Sequence, residues 1–504
     1  MIPRRLAIPL VALVSILVVA STASPSAERG GPRALSDALN AVISGSELAR
    51  AQLGMRVIEA DTGRVLFNHN AERPLKPASN MKVITSAAAL SALRPEYVFN
   101  TVFMASARPA ADGVVRGDLY IKGYGSPGLV GEQWWLMARE IRARGITRVE
   151  GDLVGDDTWF DSRDRPEGWP SANEDAFYNA PVSALSADFN AITIVVRPTN
   201  EGAAPEVFLT PFSSFFKVVN HAVTRGARSN LRVGRLFSEG QNTIVVEGNI
   251  SSRSAPSVSY RSVEQPTLYA LAAFREAAAK EGITIKGITR RGTAPEGGVR
   301  IYEHESRPLS ELVRTMNKMS NNYMAESFLK TLGAESAGPP GTTEKGAAAV
   351  MSFLQKLGAD TTGLRINDGS GLSHEDRLTA SSLAAVLLDM YRDFESYPEF
   401  MASLPIGGVD GTLDRRMVGG PAQRRIRAKT GHLNGVSSLS GYAFTQQGKV
   451  LAFSILVNAG GGQDVWKVRR GIDRLCSAMV ESDLPAPAAS AVSRHGRLPA
   501  PSAH

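Results

Sequence analysis

The 504-residue sequence contains a single cysteine, Cys476. One thiol makes no internal disulfide and no cysteine-based metal cluster. Its neighbours Ile472, Leu475 and Val480 follow helical spacing, so Cys476 reads as a small core residue. Histidine is scarce, seven in all, with no HExxH or comparable pairing, so neither a metal nor a cofactor is expected. Aromatics make up 7 %, and no long basic run interleaves with them. No nucleic-acid partner is therefore expected, and the net charge of +7 reads as a solvated basic face suited to an anionic surface or substrate. Long apolar runs are absent apart from Leu6 to Ala20, which follows Arg4 and Arg5 and precedes Ser21, Thr22 and Ala23. This is the order of a secretory signal peptide, and it falls short of the ~20 apolar residues of a membrane span. Residues 1–23 are expected to be that signal, cleaved after Ala23, with an uncleaved anchor as the alternative. No further membrane span is expected.

What is present is ordinary for a globular chain: 43 % hydrophobic and 21 % charged residues, enough for two or three domains. Met55 to Asn68 alternates as two strands around Asp61-Thr62-Gly63, and a Pro-containing loop leads into the helical "NMKVITSAAALSAL". Residues 101–300 read as mostly strand with one helical interruption, Leu268–Glu281. Helical patterns resume from Leu309. The chain closes with strands at "IRAKTG", "SSLSGYAFTQ" and "VLAFSILVNAG", a hairpin across Gly448, and a helix over Val465–Val480. The expectation is an α/β (α+β) core drawn from both ends of the chain, residues 30–105 and 301–482. Residues 106–300 form a β-rich insert of two domains, and 483–504 a Pro/Ala/Ser-rich disordered tail.

Three short motifs follow in order: Ser79-Asn80-Met81-Lys82, Ser320-Asn321-Asn322 and Lys429-Thr430-Gly431. Each is weak alone, because an isolated Ser-x-x-Lys is usually a polar helix face. Ser214–Lys217 and Ser171–Asn173 match the first two patterns as well. Ser79, however, opens a helical run, which puts Lys82 on its own face one turn on. A serine hydroxyl attacks only when a neighbour takes its proton, and a lysine desolvated beside another cation can do so. Ser320 can relay a proton between Lys82 and a leaving amine. Asn322 can hold a substrate amide through its paired donor and acceptor. Lys429 offers a positive charge to a substrate carboxylate, and Gly431 lets a peptide approach the strand edge. The backbone N–H groups of Ser79 and His432 are the candidate oxyanion hole.

The motif set is that of penicillin-binding proteins and serine β-lactamases. With the wide gap between the first two motifs, and the strings "GDLYIKGYGSPGL", "GDLVGDDTWFD", "YNAPVSALSADFN", "NDGSGLS" and "LPIGGVDGTLDRRM", the chain resembles one family in particular. This is the D-alanyl-D-alanine carboxypeptidase/endopeptidase family S13, the class C low-molecular-mass penicillin-binding proteins. The resemblance spans roughly residues 45–480. It implies a transpeptidase-like core with the insert, catalytic Ser79, Lys82 and Ser320, and substrate-binding Asn322, Lys429, Thr430, Gly431 and His432. It further implies cleavage of peptidoglycan stem peptides, acylation of Ser79 by β-lactam antibiotics, and a periplasmic location. Two positions depart from the family pattern. His432 stands where a hydroxyl residue often follows the Lys-Thr-Gly motif. His374 stands where arginine is frequent, so that contact is either absent or supplied by Arg377. Asp157, Trp159 and Phe160 resemble the part of the insert that approaches the stem peptide's side chain, although a structural turn explains them equally well. The alternatives are a β-lactamase and a non-catalytic cell-wall binding protein.

Overall fold

A computed structural model describes residues 31–170, 174–211, 213–460 and 463–484. The expected signal peptide with its cleavage site, the Ser171–Asn173 match and all but the first two residues of the expected tail lie outside the described residues. The described chain mixes helix and strand, as expected from the sequence.

The half that carries all three motifs is built on a five-stranded antiparallel sheet drawn from both ends of the chain. Its strands are β1 (Gln52–Glu59), β2 (Val65–His69), β3 (Ile426–Leu433), β4 (Val436–Phe444) and β5 (Val450–Asn458), in the order β3-β4-β5-β1-β2. Alternation along each strand serves two cores. Leu451, Phe453, Ile455 and Val457 of β5 point to α1 (Pro32–Ser44) and the C-terminal helix, α7 (Val465–Glu481), whose Cys476 is buried there. Ala452 and Leu456 point the other way, toward α2 (Met81–Leu93), α4 (Asn322–Ala337) and α6 (Ala380–Arg392). Every residue of α2 from Met81 to Leu90 is buried. Its alanine-rich sequence suits a helix packed on all sides rather than an amphipathic one.

The insert forms its own sheet, in the order Thr289–Arg291, Leu153–Asp156, Leu119–Gly123, Asn100–Ala105, Val299–Glu305, so its strands begin and end outside the expected bounds of 106 and 300, because the strands leading out of and back into the core pair with each other. Two further sheets, one including Ala191–Arg197 and the other Gln241–Ile250, share a contiguous apolar core with it. The insert contains two long helices, Gly131–Ala143 and Pro266–Lys280, not the single one expected. Trp134, Met137, Ala138 and Ile141 give the first a clear helical stripe, buried against the second.

Candidate active site

Ser79 lies in a single 3-10 turn, Ala78–Asn80, that runs directly into α2. Ala78 takes a positive φ of 47°, a sparsely populated conformation for alanine and common at functional sites. The half-buried Ser79 Oγ accepts a hydrogen bond from Lys82 Nζ at 3.1 Å, the i to i+3 geometry anticipated from the spacing. Lys82 is fully buried and also donates to Asn322 Oδ1 at 2.6 Å and to the Ser370 carbonyl at 2.7 Å. Burial pulls its amine down to about 8, opposed by the nearby Asp368, Glu326 and Asp376. A lysine so placed keeps a neutral fraction at physiological pH, as a proton acceptor for serine requires.

The second motif joins two helices. α3 (Leu309–Met319) ends at Ser320, which is left-handed at φ 57° and ψ 40°, and the Asn321 side chain caps the start of α4. This turn aims Ser320 Oγ at the third motif, where it accepts from Lys429 Nζ at 2.8 Å. Its recorded partner is thus Lys429 rather than Lys82. Asn322 is engaged at both ends: its Oδ1 takes the Lys82 bond, and its Nδ2 donates to the Tyr178 carbonyl of the insert at 2.8 Å. In the free protein Asn322 therefore orients the lysine.

Lys429 is also fully buried, and its donors go to Ser320 Oγ and the Thr430 carbonyl. Desolvation, helped by neighbouring Lys82, holds its amine well below the usual lysine range. Lys429-Thr430-Gly431-His432 lies on β3, the edge strand. Residues 405–407 cover the lower half of that edge, through Ala428 N–H to the Pro405 carbonyl and Gly407 N–H to the Ile426 carbonyl. Asn80 Nδ2 ties β3 to the turn that carries Ser79 by donating to the Lys429 carbonyl at 3.1 Å and Ser438 Oγ at 2.9 Å. Ser438 Oγ in turn donates to the Pro77 carbonyl at 2.6 Å. Gly431 has a reason other than ligand approach: a Cβ there would press into Ser438 Oγ and lie 2.8 Å from the Pro77 carbonyl. Glycine lets β3 pack against the turn that carries Ser79. The exposed His432 ring lies 3.2 Å from the Val436 carbonyl through Nδ1, and Thr430 Oγ1 donates to Thr412 Oγ1.

A fourth segment, residues 368–373 within the string "NDGSGLS", carries no role in the sequence reading. Asp368 accepts from the backbone N–H groups of Ser370, Gly371 and Ser373, and from Trp169 Nε1 of the insert at 2.9 Å. This fixes the turn whose Ser370 carbonyl holds Lys82. An aspartate followed by Gly-Ser-Gly is the available signal, since such a carboxylate accepts from its own turn. Arg377 donates to the carbonyls of His374 and Asp376 and is committed to its own loop. Asp157 is held by Ser183, Thr267 and Arg291, and Phe160 is buried against Lys330. That stretch is therefore occupied in packing. The competing Ser214 bonds Glu276 from both its amide and its hydroxyl, while Lys217 is exposed on a strand.

Comparison with known proteins agrees with this geometry. The family model described as D-Ala-D-Ala carboxypeptidase 3 (S13) matches residues 35–479. The D-alanyl-D-alanine carboxypeptidase of Actinomadura sp. (strain R39) is 37 % identical over 476 residues, covering 90 % of this chain and 87 % of that one. D-alanyl-D-alanine carboxypeptidase DacB of Haemophilus influenzae is 27 % identical over 414 residues, with 81 % and 85 % covered. The crystal structure of penicillin binding protein 4 (dacB) from Haemophilus influenzae superposes with a TM-score of 0.76 at 25 % identity, covering 88 % of this chain and 98 % of that one. Another structure of that protein, complexed with a novel β-lactam, gives a TM-score of 0.71 at 24 % identity. With its three motifs linked by hydrogen bonds and the family model spanning insert and core together, the chain belongs to the D-Ala-D-Ala carboxypeptidase 3 (S13) family.

Proposed function

We propose that the protein cleaves peptidoglycan stem peptides through an acyl-enzyme on Ser79, releasing terminal D-Ala or opening D-Ala cross-links. The observation that carries this is the 3.1 Å contact between Ser79 Oγ and a fully buried Lys82 whose amine is drawn down to about 8. As Ser79 attacks the D-Ala carbonyl, Lys82 Nζ takes its proton. The backbone N–H groups of Ser79 and His432 receive the developing oxyanion, where one such donor is worth about 3 kcal/mol. The leaving amine takes the Ser320 Oγ proton, and Lys82 Nζ returns to Ser320 the proton it took from Ser79, while Lys429 holds the Ser320 hydroxyl in place. The substrate carboxylate supplies buried Lys429 with an opposite charge, which favours its ammonium form, with Thr430 beside it. The free edge of β3 beyond Ala428 receives the peptide as an added strand. Water then hydrolyses the ester.

Penicillins acylate the same serine, because their strained amide presents a carbonyl and a carboxylate to the same groups. The β-lactamase and scaffold readings are not favoured, since core and insert match a carboxypeptidase family together. The proposed compartment is the periplasm. Residues 1–23 carry the export pattern, and among the described residues no helix is long and apolar enough to cross a membrane. A fluorescent penicillin tests the reading: stable labelling lost in Ser79→Ala, with D-Ala released from a pentapeptide by the wild type, is expected. Labelling that survives S79A would overturn the assignment of the nucleophile.

A further inference from the structure

Behind Lys82 lie three carboxyl groups that the proposed mechanism does not use. Glu326 is on α4 one turn after Asn322, so both face α2. It is fully buried, and both its oxygens accept from Gly369 N–H, at 3.1 and 2.9 Å. Asp368 organises the rest of that turn, and Asp376 accepts from Asn367 N–H while its Oδ2 has no partner. From the opposite side Lys82 faces Lys429 on β3. Burial, followed by the charge of Asp368, pushes the Glu326 carboxyl up to about 8, and burial raises Asp376 as well. Lys82 and Glu326 lie within Coulombic reach of each other, the amine drawn down and the carboxyl pushed up.

We propose that Glu326 is a positioning residue for the base: it pins the turn whose Ser370 carbonyl orients Lys82, and it competes with Lys82 for one proton. Once the pair has released a single proton, two arrangements carry the same net charge. One has a neutral amine beside a protonated Glu326. The other has an ammonium beside a Glu326 carboxylate. Only the first can accept the Ser79 proton, so every molecule in the second is withdrawn from acylation. No proton passes between Glu326 and substrate; Glu326 sets only the fraction of enzyme whose lysine is free.

The inference rests on Lys82 being the base, and the experiment separates the two. Glu326→Gln keeps an oxygen to accept from Gly369 N–H but offers no competing proton site. Acylation by a fluorescent penicillin is followed as a function of pH in the wild type, E326Q and K82A. The ascending limb of E326Q is expected to move to lower pH by about half a unit, with acylation on that limb raised about threefold. An unmoved limb, or one moved to higher pH, overturns the role of Glu326 while leaving the base intact. Labelling that persists in K82A overturns the base itself. A purely structural Glu326 would lower thermal stability in E326Q without moving the limb. Should E326Q not fold, an infrared titration of Asp376→Asn decides: a carboxylic-acid carbonyl band that persists at neutral pH and vanishes near pH 8 supports the proposal. Its absence at neutral pH refutes it.

Discussion

A methyl group added at Gly431 separates two reasons for a glycine in the third motif. If the residue serves only to admit a ligand, Gly431→Ala leaves the free protein undisturbed and weakens substrate binding. In the structure the added Cβ meets the protein itself: Ser438 Oγ inside van der Waals contact, the Pro77 carbonyl at 2.8 Å and Asn80 Nδ2 at 3.0 Å. Ordinary contact begins near 3.4 Å, so β3 and the turn carrying Ser79 must separate by half an ångström or more. Overpacking of this kind costs about 1–3 kcal/mol. If Ser79 is the nucleophile, as proposed, its displacement by up to 1 Å from the proposed oxyanion donor costs about a hundredfold in rate. Chemical denaturation and the penicillin acylation rate measure the two effects. In the double variant G431A/S438A one obstruction is gone while the Pro77 carbonyl remains, so partial recovery over G431A is expected, read as a favourable coupling energy. Normal stability with only a raised KM would refute the packing argument and restore the ligand-approach explanation.

Three further outcomes follow from buried contacts. Asn80→Ala removes both hydrogen bonds from Asn80 Nδ2 to β3 and Ser438, and is expected to cost about 1–3 kcal/mol by urea denaturation, with acylation falling alongside. Trp169→Phe removes the donor from the insert to Asp368, a bond to an acidic group worth about 1.5–3 kcal/mol, and acylation should slow because the turn holding Lys82 loosens. The Glu326 carboxyl lies higher in the folded chain, at about 8, than its ordinary 4.5, so the folded state binds the extra proton between those values. Its contribution is complete below 4.5 and lost as pH rises toward 8, so the melting temperature of E326Q should decline less over that interval than that of the wild type.

What could be read from the sequence was what is local. Ser79 and Lys82 share a helix face, and spacing alone put them together. The β1–β2 hairpin, the turn across Gly448 and the closing helix followed from alternation, glycine and periodicity. Gly131–Ala143 was equally local and was passed over, although its buried stripe is regular. The partners that tune Lys82 were out of reach, because Asn322 and Ser370 lie 240 and 288 residues further along the chain. Only the packing of α4 and the 368–371 turn against α2 brings them to it. The pairing of Ser320 with Lys429 likewise depends on a left-handed serine that no residue type announces.

The central sheet also bears on how the protein is made. β1 sits between β2 and β5, with Gln52 opposite Asn458, so the strand synthesised near the start has its inner neighbour about 400 residues downstream. Until β5 arrives, the β1–β2 hairpin has no partner for its inner edge, and the apolar face bound for α7 stays uncovered. Such long-range pairing is slow to form, and the waiting chain is prone to aggregate. The third motif lies on β3, which completes the same sheet. The proposed acyl-transfer site is therefore complete only once this sheet has closed, and a chain cut anywhere before β3 carries Ser79 and Lys82 but not the third motif.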